Sequence, residues 1–243
     1  GNMLSFFFFD RLVMSPVYLV ATLLGIIVTT WAQHRVTSTF KKFAEVGVQS
    51  GMTGAEAAAA VCRSGGVEGV TIERSFGFLS DHYDPRARAL RLSPDVYDGR
   101  SISAIAVAAH EAGHSIQDAV DYAPLGWRST FVPVAQVGGR AWYFVFIIGM
   151  FLNSSEAILG PLLMQVGVAL FAGLVFFQLL TLPVEIDASR RAKTVLVSTG
   201  IVSNQQEEEG VSKVLDAAAM TYVAAAAASI MQLIALLMRS RRE

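Results

Sequence analysis

Residues 101–117 read SISAIAVAAHEAGHSIQ, an Ala-rich run without proline in which Ser101 or Ser103 can cap the first turn, so the pattern predicts a helix. Within it, His110-Glu111-Ala112-Gly113-His114 places two imidazoles at i and i+4, one turn apart on one face. From there both can reach a single Zn²⁺ at about 2.0–2.1 Å, while Glu111 stands beside the metal's open position, placed to take a proton from bound water. With 4 His in 243 residues, a chance HExxH in a chain this long is expected on the order of a few times per thousand. The motif is therefore read as a metal site.

A catalytic zinc normally takes three protein ligands and one exchangeable water, so a third ligand is needed. Metzincins would place a Gly three positions and a His six positions after the second His; Gln117 and Val120 stand there instead, which excludes that class. Asp118, one turn beyond His114 on the same helix, would have to reach too far round, while His82, in a turn, could approach. Glu185 is the better candidate. It lies in LPVEIDASRR (182–191) at the end of an apolar run, where an isolated carboxylate is costly unless paired or metal-bound. An ion pair with Arg190 or Arg191 is the competing reading. Asp187 and Ser189 could orient a ligating imidazole, and a surface ion pair is equally open for Asp187. In Asp81-His82-Tyr83-Asp84-Pro85 an Asx-type turn leading into a strand is expected; in a functional reading, His82 or Tyr83 donates to the oxyanion of the tetrahedral intermediate.

Around this stretch the composition is that of a membrane protein. Hydrophobic residues make up 53% and charged residues 16%, against roughly 25% charged in ordinary soluble domains, and the mean hydropathy is +0.48. Residues 12–31 carry no charge, enough for about 20 residues of helix across the bilayer. Basic residues rather than a cleavage pattern follow, which predicts an uncleaved anchor. Residues 141–155 and 157–184 are uncharged apart from Glu156 between them and predict two antiparallel membrane helices with a turn near 153–161. The first is too short alone, so it is expected to begin near Val132 with Arg140 protein-facing or interfacial. Residues 217–238, with an alanine run suited to close helix packing, make a fourth span.

The expected organisation is a transmembrane helix at 3–33, a small α/β domain carrying the HExxH helix at 34–130, transmembrane helices 2 and 3 at 131–184, a zinc-ligand segment and loop at 185–214, and transmembrane helix 4 at 215–239. Gly1 and Asn2, before Met3, read as a cloning remnant. Arg35, Lys41, Lys42, Arg128, Arg140, Arg190, Arg191, Lys193 and Lys213 fall on one side of four spans and Arg11, Arg239, Arg241 and Arg242 on the other. The nine are expected to face the cytoplasm; the Arg-rich tail argues for the opposite orientation, which stays open, or for a last segment that does not fully cross. A net charge of -1 excludes the basic footprint of a nucleic-acid binder. One cysteine, Cys62, excludes a disulfide framework and suits a reducing compartment.

In the α/β region, Thr53 and Glu56 form a capping-box pattern ahead of a helix over 55–63, and Gly65-Gly66 ends it. Residues 67–73 and 86–92 have strand character; an extended substrate could pair along the edge of the second.

These residues resemble the YugP-like family of neutral zinc metallopeptidases, integral membrane proteins of bacteria. The matching pieces are GMTGAE (51–56), DHYDP (81–85), LRLSPDVYDG (90–99), VAAHEAGHSIQ (107–117), YAPL (122–125) and LPVEIDASRRA (182–192), spread over nearly the whole chain. The resemblance implies a membrane-bound peptidase of the gluzincin kind in the bacterial plasma membrane, with a zincin-like domain, His110, His114 and Glu185 as zinc ligands and Glu111 as base. Related membrane peptidases use Glu-x-x-x-Asp, and here the last position is Ser189. The expected activity is endoproteolysis of a protein or peptide substrate, with an intramembrane site-2-type protease and a non-catalytic zinc-stapled scaffold as alternatives.

Overall fold

The computed structural model describes residues 16–77, 80–154 and 159–240. In chain order the elements are α1 (Pro16–Ala44), α2 (Gly54–Ser64), β1 (Thr71–Arg74), β2 (His82–Asp84), β3 (Ala89–Leu92), α3 (Pro94–Tyr97), α4 (Ile102–Ala119), α5 (Ala123–Ser154), α6 (Leu159–Ser198) and α7 (Gln205–Ser240). Four helices, α1, α5, α6 and α7, are long and apolar enough to cross a membrane. The expected start of the first span at 3–15, the middle of the turn after α5 (155–158), and Arg11, Arg241 and Arg242 lie outside the described residues.

The second span departs from expectation. Its helix begins at Ala123 rather than near Val132, because α4 stops at a three-residue turn in which Asp121 takes φ 50° and the chain re-enters a helix at once. Pro133 lies inside that helix instead of marking its start. Arg140 is exposed, so of the two positions expected for it, protein-facing or interfacial, the protein-facing one is not taken.

The chain divides into two compact units. The first comprises the described parts of 1–31, 128–180 and 222–243. Its core gathers Phe146, Met150, Met164, Val168, Phe171, Val175 and Leu236. Close helix contact rests on small residues: a Cβ on Gly167 would lie 2.8 Å from Phe146 Cβ, and one on Gly25 would lie 3.2 Å from Ala228 Cβ, within the alanine run.

The second unit comprises 32–127 and 181–221. Thr53 Oγ1 accepts the Glu56 N–H at 3.1 Å and Glu56 Oε2 accepts the Thr53 N–H at 2.8 Å, the reciprocal bonds of a capping box at the start of α2. At its end the left-handed residue is Gly66, with φ 72°. Of the two serines before the zinc-motif helix, Ser101 is the cap, accepting the Ala104 N–H, while the Ser103 hydroxyl donates to the Phe40 carbonyl.

The sheet has the order β1-β3-β2, with β3 parallel to β1 and antiparallel to β2. Both strands expected from sequence are shorter than expected. Residues 85–88 turn instead of extending, because Asp84 Oδ1 accepts the N–H groups of Arg86 and Ala87 and Arg88 takes φ 49°. The Asx turn thus closes a hairpin, and the residues before it, His82–Asp84, form a strand. This corrects the expectation that the strand at 86–92 offers an edge to substrate: β3 is central and paired on both sides, and the edges of the sheet belong to β1 and β2. Leu90, Leu92, Val96, Ile102, Ile105, Leu196 and Leu215 form the core beneath.

Candidate metal centre

Helix α4 is buried along most of its length, and its glycine sets how closely α6 can approach. A Cβ on Gly113 would lie 2.5 Å from the Ala188 carbonyl oxygen, so the backbone of α6 rests directly on the middle of HEAGH. On α6 the fully buried residues Val184, Ala188, Ala192 and Leu196 recur every four positions, giving one continuous contact stripe. Glu185 follows the first of these and is carried to the two histidines. Replacing Gly113 by Ala forces the two backbones apart; an expected cost of about 1–3 kcal/mol appears as a lowered thermal midpoint together with weaker metal binding. An unchanged midpoint and metal content would show that the contact has room for a methyl group.

The structure brings His110, His114 and Glu185 together, one ligand atom from each lying within 4.8 Å of the others. His110 Nε2 is 3.0 Å and His114 Nε2 3.6 Å from the same Glu185 oxygen, Oε2. The imidazoles meet edge to face, 4.8 Å between centroids. Glu185 and His114 are buried and His110 nearly so. Burial disfavours a charged His114, but its bond to Glu185 and the negative charges of Glu111 and Glu185 outweigh that and raise its pKa above the ordinary imidazole value. The cluster is a place where a cation is favoured. Two imidazole nitrogens and one carboxylate oxygen, with no fourth protein group among the described residues, fit the donor set and open coordination of a catalytic zinc.

The outer nitrogens are held too. His110 Nδ1 lies 3.0 Å from Ser189 Oγ and His114 Nδ1 3.0 Å from Gln117 Oε1. Asp187 bonds Arg190, Arg191 and Gln117, so the arginines weighed as partners for Glu185 pair with Asp187 instead. Glu111 is buried, and its Oε2 accepts the Tyr83 N–H at 3.1 Å. Asp118 does not turn toward the histidines: it accepts the Tyr83 hydroxyl at 2.8 Å. Burial, then this bond and the Asp118 charge, push the phenol pKa up, so the hydroxyl stays protonated and committed. His82 is exposed and its Nδ1 lies 2.8 Å from the Ser80 carbonyl oxygen; the structure does not bring it into the cluster. A carbonyl only accepts, so Nδ1 carries the proton and Nε2 of the neutral ring can only accept.

The described chain thus combines helices long and apolar enough to cross a membrane with a candidate metal site made by one helix's two histidines and a second helix's carboxylate. The chain belongs to the family of putative neutral zinc metallopeptidases, which residues 18–241 match. It is 45% identical over 222 residues to the putative membrane protease YugP of Bacillus subtilis (strain 168), a match covering 91% of this chain and 95% of that protein. No solved structure matches the chain.

Proposed function

We propose that the protein is a membrane-anchored zinc endopeptidase in which His110, His114 and Glu185 hold Zn²⁺ and Glu111 moves the proton. The convergence of both histidines on one Glu185 oxygen, with Glu111 buried beside them, carries this reading. Zinc, when bound, supplies a water of pKa lowered toward about 7 and a Lewis acid for the scissile carbonyl. Glu111 Oε2 is held by the Tyr83 amide, which orients the carboxylate. Its other oxygen accepts the proton of the attacking water and passes it to the leaving amine. Neither His82 nor the Tyr83 hydroxyl is free to donate from its neutral form to an oxyanion, so no such role is assigned to them.

An extended substrate is placed at the outer edge of β2, where the Tyr83 N–H is already given to Glu111 and the Tyr83 carbonyl is the backbone group left for it to pair with. A peptide hydroxamate that left amide exchange across β2 unchanged would exclude that path. Helix α4 is not one of the four helices apolar enough to span and is buried in the second unit, which favours cleavage outside the hydrocarbon core over the intramembrane alternative. The distribution of Lys and Arg supports a site facing the cytoplasm of a bacterial plasma membrane.

The test is metal dependence on unstructured casein peptides. Detergent-purified protein is expected to cleave them, to lose the activity to 1,10-phenanthroline, and to regain it with stoichiometric zinc. Cleavage indifferent to the chelator would refute the assignment.

A further inference from the structure

Gln117 is fully buried yet bonded at every polar atom of its side chain. Its Nε2 donates to the Val184 carbonyl and to Asp187 Oδ2, both at 2.9 Å. Its Oε1 faces His114 Nδ1 at 3.0 Å. The amide cannot be turned round, because the reverse orientation would set its oxygen against a carbonyl and a carboxylate, neither of which has a proton to give. With Oε1 restricted to accepting, His114 carries a proton on Nδ1, and in the neutral ring that binds a metal the lone pair is on Nε2, the nitrogen that faces Glu185.

Asp187 is itself held. Arg191 Nε donates to Oδ2 at 2.6 Å and Arg190 to Oδ1, and the Arg191 guanidinium lies over the Tyr122 ring at 5.6 Å. From this geometry we infer that Gln117 is a positioning residue: anchored by Asp187 and its two arginines, it sets the tautomer and ring orientation of His114 for metal binding. The inference rests on the zinc-site reading above and adds its tuning. Many zinc-binding histidines hand the second N–H directly to a carboxylate or a backbone carbonyl; here a neutral amide stands between ring and carboxylate. His110 also faces a neutral group, the Ser189 hydroxyl. The negative charge adjoining the metal position therefore comes from Glu185 and Glu111, while that of Asp187 is held one side chain away and balanced by arginine.

The test is the zinc dissociation constant of detergent-purified protein, measured by competition with a chromophoric chelator, beside the visible spectrum of the cobalt-substituted form. Gln117→Met keeps the length of the side chain and removes the acceptor; zinc affinity is expected to fall about 10–100-fold, with an altered cobalt spectrum. Nitrogen NMR of the histidine side chains in the zinc-loaded wild type is expected to show His114 protonated on Nδ1 and bound to zinc through Nε2. Wild-type affinity in Gln117→Met would overturn the inference. If that variant does not fold, the nitrogen NMR of wild type decides: zinc bound through Nδ1 of His114 overturns the inference, and zinc bound through Nε2 with Nδ1 protonated supports it. Wild type that binds no zinc would instead overturn the site reading itself, which separates the two failures.

Discussion

Glu111→Gln is expected to lower kcat for peptide hydrolysis by about 10²–10⁴-fold while leaving zinc content unchanged. That range corresponds to about 3–5 kcal/mol of lost transition-state stabilisation. The substitution is unusually clean in this setting. Gln retains an oxygen to accept the Tyr83 N–H that Glu111 Oε2 now accepts at 3.1 Å, so β2 and α4 keep their connection. Nothing in the His110, His114 and Glu185 cluster is altered, and only the ability to take and return a proton is removed. Elemental analysis and a casein-peptide assay on the same preparation read both quantities. Full activity in the variant would remove Glu111 from the mechanism and bring the zinc-stapled scaffold reading forward, since a structural site has no need of a base beside it.

Glu185→Ala is expected to strip the metal. The carboxylate is the point on which both imidazoles converge, and its removal leaves two ligands in a buried site. Lost orienting partners alone typically cost 10–100-fold in affinity, so loss of a direct ligand should exceed about 100-fold and abolish activity at ordinary zinc concentrations. Measured beside wild type, zinc per chain should fall from near one to near zero. Zinc retained in full by Glu185→Ala would place the third ligand elsewhere. Glu185→Gln, which keeps the shape, should fall between the two and shows how far the charge matters beyond the oxygen.

How much of this was legible before folding depended on distance along the chain. The HExxH helix, its Ser101 cap and the Thr53/Glu56 box were readable because each is a pattern within one or two turns, where helical geometry alone decides who meets whom. Four apolar stretches were readable because the bilayer sets a length, although the start of α5 was missed: a left-handed Asp121 and an internal proline are local conformations that hydropathy does not report. Glu185 could be picked out from the cost of a carboxylate ending an apolar run, even though it lies 75 residues from His110. Gln117 could not. In the sequence it was the residue that excluded a metzincin, and only its place opposite Val184 and Asp187 shows what it does.

Sequence alone therefore determined the main helices and the residue types carried on them: two imidazoles and a carboxylate on one helix turn, a lone carboxylate at the end of an apolar run, and four stretches of membrane length. Tertiary structure decided the pairings. It gave the arginines to Asp187 and left Glu185 to the histidines, gave Asp118 to Tyr83, and put β3 in the centre of the sheet. The physical reason is that helix and cap patterns are set by bonds between near neighbours, whereas these pairings depend on how closely α6 can lie on α4, and that is set where Gly113 admits the Ala188 carbonyl.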